Sequence, residues 1–151
     1  VSGNILESDV ESLVNPVNCV GVAGKGLALD FRKRFPSNYI RYRKFCFDKK
    51  MSIGRIFVSD LGQKEWPRYI LNFPTKNHWK NNSKLFYIRE GLRSLVSVLK
   101  DLSIKSVAIP PLGCGLGGLD WEEVRPIIES GLHDLGYLDV LLFEPLEDGR
   151  K

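Results

Sequence analysis

The chain has 151 residues, 43% of them hydrophobic, enough for one domain with a real core and too few for two. It holds no apolar run of bilayer length, and its first residues lack the charged-then-apolar pattern of a secretory leader, so a soluble cytoplasmic protein with no membrane partner is expected. The net charge of +4 is uneven: Arg32 to Lys50 carries eight Lys or Arg against one Asp, a local +7 that leaves −3 elsewhere.

That basic stretch has two readings. Tyr39, Tyr42, Phe45 and Phe47 interleave with the cations as in a surface that tracks nucleic-acid phosphates. Two helices with solvated basic faces and aromatic undersides would read the same way. Cys19, Cys46 and Cys114 are odd in number and show no C-x-x-C spacing, which fits a reducing compartment better than a disulfide framework. With only His78 and His133 besides, the residues argue against a structural metal. Cys19 and Cys114 border glycine loops, where a nucleophile is conceivable, but a small buried residue is the plainer reading of each.

In chain order, Val1 to Ile5 reads as the end of a strand turning at Gly3-Asn4, and Leu6 to Ser12 as a polar connection. Leu13 to Val17 is a strand, followed by Gly21, Gly24 and Gly26 in a loop. Leu27, Phe31 and Phe35 then mark one face of a helix that Pro36 closes. Ser37 reads as the N-cap of a second helix reaching about Lys50, with Ile40, Cys46 and Phe47 on its inner face. After Gly54 comes the strand pattern RIFVSD, then a turn, then the apolar run Tyr69 to Phe73 that Pro74 terminates. Thr75 to Lys84 is a polar surface loop, and Ser83 caps a helix whose apolar positions run from Leu85 to Leu102.

Val107 to Pro110 is a short buried strand leading into a second glycine loop, PLGCGLGGL. Asp120 and Glu123 have the spacing of an N-cap and its reciprocal partner. The last helix spans Trp121 to Leu135, contains Pro126 and stops at Gly136; Val140 to Phe143 is a final strand, and Leu146 to Lys151 a polar tail. Alternating strands and helices imply an α/β layered fold with a mostly parallel central sheet. In such sheets ligands bind beyond the carboxyl ends of the strands, which here carry both glycine loops. Two such loops can grip a diphosphate from opposite sides through backbone N–H groups, leaving Asn15 and Asn18 for sugar hydroxyls and Phe143 for a base.

Gly113, Gly115 and Gly118 also spell G-x-G-x-x-G, with Glu144 after the next strand where a ribose-binding acid would sit, so a dinucleotide-binding domain is the rival reading. Its position near the end of the chain counts against it. GVAGKG is no P-loop either, because the spacing to the lysine and the following Ser or Thr are missing.

VNPVNCVGVAGKGLALDF, NFPTKNHW and IPPLGCGLGGLDW, in this order and spacing, resemble the macrodomain family, most closely its DNA ADP-ribosyl glycohydrolase antitoxin (DarG-like) branch. The resemblance runs from Gly3 to Pro145. It implies a three-layer α/β/α macrodomain over residues 1–145, a mixed, mostly parallel sheet, and an ADP-ribosyl glycohydrolase. The substrate implied is ADP-ribose linked to thymidine in single-stranded DNA, the partner a DNA ADP-ribosyltransferase toxin, the state a monomer, with no metal or diffusible cofactor.

By position, the resemblance puts Asn18 at the distal ribose, Gly24, Lys25, Gly26 and Leu27 along ribose and diphosphate, and Thr75 beside them. Gly113, Cys114, Gly115, Leu116, Gly117 and Gly118 form the second phosphate loop, and Ile5 and Phe143 flank adenine. Asn4 stands where many macrodomains have an acid, offering an uncharged acceptor. Lys76 matches the catalytic lysine of DarG-like enzymes and of the related human terminal ADP-ribose glycohydrolase, where it attacks the anomeric carbon. That requires a neutral amine, favoured by desolvation or by a cation such as Lys25. The human enzyme's acid in the second glycine loop is matched here by Gly117, and Asp120 lies three residues on, so two roles stay open for Lys76: covalent attack, or stabilising the departing base or orienting the opened sugar. His78 and Trp79 are placed to touch the DNA or to pack the loop, and Asn15 to close the strand end. The same family also includes ADP-ribose-binding modules without activity and hydrolases of protein-linked or O-acetyl ADP-ribose.

Overall fold

A computed structural model describes residues 1–146; the expected tail beyond Leu146 lies outside the described residues. Strands β1 (Ser12–Asn18), β2 (Phe57–Asp60), β3 (Tyr69–Lys76), β4 (Ser106–Ile109) and β5 (Asp139–Leu142) form one sheet in the order β2-β3-β1-β4-β5. β1, β3, β4 and β5 run parallel, while β2 pairs antiparallel with β3. The helices are α1 (Gly26–Arg34), α2 (Pro36–Phe47), α3 (Leu85–Asp101) and α4 (Trp121–Leu132).

Successive strand residues point to opposite faces, and the core divides accordingly. Val14, Leu71, Phe73, Val107 and Ile109 pack under α3 and α4 against Ile88, Leu92, Leu95, Val124 and Ile128. Their neighbours Leu13, Ile70 and Ala108 turn the other way onto Phe31 of α1, and Val17 packs on Tyr42 and Cys46 of α2. The result is the three-layer α/β/α arrangement with a mixed, mostly parallel sheet that the sequence implied. One helix lies very close: a Cβ at Gly91 of α3 would run into the Phe73 ring of β3.

Several local expectations are corrected. Val1 to Ile5 is not a strand end, because Asn4 caps a 3₁₀ turn, Ile5–Glu7; Val1 nonetheless bonds backbone to backbone with Leu142 at the end of β5 and with Glu144 just past it. Ser37 is no N-cap: α1 and α2 share Phe35 as the residue between them, and Pro36 takes the first helical position, where its missing N–H costs nothing. The inner face of α2 is Asn38, Tyr42 and Cys46, while Ile40 and Phe47 are 68% and 84% exposed. A polar residue with a buried partner, Asn38, sets that stripe, and hydrophobic periodicity cannot register it.

Pro74 does not end β3, which runs on to Lys76; the pairing with β2 ends at Asn72, so no β2 ladder is left for the proline to interrupt. Ser83 does not cap α3, whose N-cap is Lys84; Leu102 lies beyond the helix and is exposed. α4 ends at Leu132, short of the expected Leu135, which still packs into the core from the turn that follows.

Candidate functional site

Because four strands are parallel, their carboxyl ends open on one edge, where the segments after β1, β3, β4 and β5 gather. Asn18 organises the first of them. Its Oδ1 accepts from the N–H groups of Val20, Gly21 and Val22 at 3.1, 3.0 and 3.3 Å and from the Tyr42 hydroxyl at 2.8 Å, while Nδ2 donates to Val22 O at 2.8 Å. Asn18 therefore shapes the loop, and one Nδ2 hydrogen remains for a ligand. Gly24, Lys25 and Gly26 are exposed beyond it. Lys25, the N-cap of α1, supplies no side-chain acceptor, so the first-turn amides of that helix stay available to an anion.

The pairing of β1 with β3 skips Thr75: Val17 lies opposite Pro74 and Asn18 opposite Lys76. This irregularity re-aims the end of β3 and brings Lys76 alongside Asn18. Thr75 itself is buried. The Lys76 amine donates to Leu116 O at 3.2 Å and more weakly to Trp79 O at 3.5 Å. Burial is what pulls its pKa below the ordinary lysine value; no contribution comes from Lys25.

The second loop bends through left-handed Gly113, Gly115 and Gly118. Internal bonds engage the amides of Cys114, Gly117, Gly118 and Leu119. Among the described residues, that leaves the Leu112, Gly113, Gly115 and Leu116 amides as the loop's donors without an intramolecular partner. The two loops meet, since a Cβ on Gly26 would lie 3.3 Å from Leu116 Cδ1. Below Gly117 sits Ser83, 5% exposed, its N–H bonded to Gly117 O at 2.9 Å and its Oγ without a protein partner. A Cβ on Gly117 would come within 2.5 Å of that Oγ and 3.9 Å of Lys76 Cε.

Ile5 and Phe143 share one cluster with Phe31 and partly buried Leu27, and little of either surface is exposed. Asn4 spends its Oδ1 on the Leu6 N–H at 3.0 Å. Asp120 caps α4, accepting from Glu122 N, and His78 packs on Trp79 with ring centroids 5.3 Å apart. Asn15 is bound into the interior: Asn72 Oδ1 accepts from Asn15 and Asn38 at 3.0 and 3.2 Å, and Asn72 Nδ2 donates to Asn38 and Phe57 O. Burial pushes the Cys19, Cys46 and Cys114 thiols up to about 11, so each stays protonated and a poor nucleophile at neutral pH.

Sequence reasoning overlooked Asn38, Asn72 and the contact of Ser83 with the second glycine loop. A groove of about 660 Å³ runs along Phe86, Tyr87 and Glu90 and meets this region only at Asn77. The two loops, with their open amides and half-buried Lys76, lie apart from the rest of that groove. The dinucleotide reading fails on the sheet: the glycine fingerprint follows β4, and β2 is antiparallel.

This fold, with two glycine loops closing over the ends of parallel strands, belongs to the macro domain family, and the Macro domain description matches residues 14–128. Within the family the chain is similar to the macrodomain of Mycobacterium tuberculosis DarG, at 49% identity and TM-score 0.95 over 97% of this chain and 96% of that one. It is 51% identical to the DNA ADP-ribosyl glycohydrolase of Thermus aquaticus, over 98% of this chain and 41% of that protein. Thermosipho africanus DarTG in complex with ADP-ribose is 38% identical, with TM-score 0.87, over 96% of this chain and 40% of that one. The chain thus spans about two fifths of the length of the DNA ADP-ribosyl glycohydrolases it matches.

Proposed function

We propose that this macro domain, residues 1–145, hydrolyses the bond joining ADP-ribose to thymidine bases in single-stranded DNA. It acts as a cytoplasmic monomer that repairs the lesion made by a DNA ADP-ribosyltransferase toxin. The one observation that carries the reading is the Lys76 amine, its pKa lowered by burial, held 3.2 Å from Leu116 O where the two glycine loops meet.

Gly24 to Leu27 and Gly113 to Gly118 hold the diphosphate, with open amides at the start of α1 and at Gly115 and Leu116. Ile5, Phe143 and Asn4 border adenine, and Thr75 lies under the distal ribose. Asn18 serves that ribose by shaping the loop beside it. Neutral Lys76 attacks the anomeric carbon, the base departs with the electron pair of the broken C–N bond, and the proton that the newly alkylated lysine nitrogen loses passes through water to the departing base. Water then cleaves the lysyl adduct and restores the amine. Ser83 fills the space a side chain at Gly117 would need, which supports a route through Lys76 without a carboxylate there.

Lys76→Ala is the test. On an ADP-ribosylated oligothymidylate the variant loses roughly a thousandfold in turnover while keeping its affinity for free ADP-ribose within a few-fold. Turnover equal to the wild type would remove Lys76 from the chemistry. Tight binding with no release of ADP-ribose by the wild type would leave a binding module.

A further inference from the structure

We infer that the outward face of α2 is the track for the DNA strand flanking the modified base, an assignment that rests on the DNA reading above. The inward stripe of this helix, Asn38, Tyr42 and Cys46, is occupied by the sheet. The opposite stripe, Ile40, Arg43, Lys44 and Phe47, has the spacing of side chains that line up on one helical face. Phe47 is 84% exposed and Ile40 68%, more than any other large apolar residue described.

The surrounding charge is lopsided. Lys44 pairs with Asp48, whereas exposed Arg43, Lys49 and Lys50 have no acidic partner among the described residues. Cations set around an exposed aromatic ring suit a chain that offers both phosphates and unpaired bases, since every base has a face to stack. A duplex would present only its phosphates to Phe47 and Ile40, and an acidic polypeptide has no regular supply of flat rings.

The track is continuous with the reacting centre. A Cβ on Gly21 would lie 3.5 Å from Arg43 Cα and Cγ, and Gly21 O accepts from the Tyr39 hydroxyl at 3.1 Å. Gly21 N–H is bonded to Asn18, which lies opposite Lys76. Half-exposed Val20 and Val22 bridge the two along the same loop. A strand whose modified base sits at Lys76 thus leaves the cleft over the Gly21–Arg43 lip.

Anisotropy with a labelled, unmodified oligothymidylate tests this without any catalysis. The wild type binds it, more tightly than a duplex of equal length, and log affinity falls linearly with log salt. Arg43→Ala flattens that slope by about 0.7, the share of one phosphate contact on a single strand. Phe47→Ala weakens binding at least about fivefold at every salt concentration and leaves the slope alone, as loss of a stacked base should. Phe47→Ala also raises KM for an ADP-ribosylated oligothymidylate in the same proportion but not for ADP-ribosylated thymidine nucleoside. No binding by the wild type, equal affinity for duplex, displacement by polyglutamate as readily as by DNA, or variants indistinguishable from wild type would each overturn the assignment. Failure of the wild type to hydrolyse either substrate would instead overturn the glycohydrolase reading, and the anisotropy result separates the two.

Discussion

Replacing Gly117 by alanine probes the contact beneath the reactive lysine, and its cost can be worked from geometry alone. Gly117 is not among the left-handed glycines, so alanine meets no backbone strain there. The new Cβ would stand 2.5 Å from Ser83 Oγ and 3.2 Å from Ser83 Cβ. Ser83 is buried and its N–H is tied to Gly117 O at 2.9 Å, so it has little freedom to yield. Overpacking of this kind costs about 1–3 kcal/mol. For a domain of this size about 2 kcal/mol lowers Tm by roughly 4–8 °C.

Ser83→Ala removes the 2.5 Å contact and leaves the one at 3.2 Å, and the Ser83 hydroxyl has no protein partner to lose. The double variant therefore recovers most of the stability, and Gly117→Ala with Ser83→Gly relieves both contacts. Lifting the loop also carries Leu116 O away from the Lys76 amine, so turnover falls about tenfold or more in the single variant and returns in the double. Thermal melts and steady-state rates on the four proteins measure this. A Gly117→Ala protein within about 0.5 kcal/mol of wild type, or no recovery on changing Ser83, would refute the steric account.

Three further outcomes are expected. Burial lowers the Lys76 pKa, so the folded protein releases this proton at lower pH than the unfolded chain does; this group's contribution to stability grows as pH climbs from its folded pKa toward 10.5. With the neutral amine as nucleophile, kcat/KM for the mononucleoside substrate rises on a limb whose midpoint lies below 10.5, and a midpoint at or above that value counts against the role. Tyr42→Phe removes the hydroxyl that reaches Asn18 O and Oδ1 at 2.8 Å each; it lowers stability by about 1 kcal/mol in urea unfolding and weakens ADP-ribose binding several-fold in calorimetry. Gly91→Ala drives a methyl group into the Phe73 ring and destabilises by about 2–3 kcal/mol despite the better helix propensity of alanine, and unchanged unfolding would mean that α3 can shift off β3.

The amino-acid sequence by itself determined the order of the elements from β1 onward, the strand-to-helix placement of both glycine loops, the apolar face of α3 and the family motifs. These depend on periodicity and turn chemistry, which act between residues a few positions apart. Only the tertiary structure decided which polar groups meet. The skipped Thr75 that sets Lys76 beside Asn18, the Asn15–Asn72–Asn38 cluster that chooses the inner face of α2, and the burial of Ser83 under Gly117 all join residues far apart in the chain. Such pairings follow from strand register and layer packing, so a lone Asn or Ser in the sequence carries no mark of its partner until the sheet has formed.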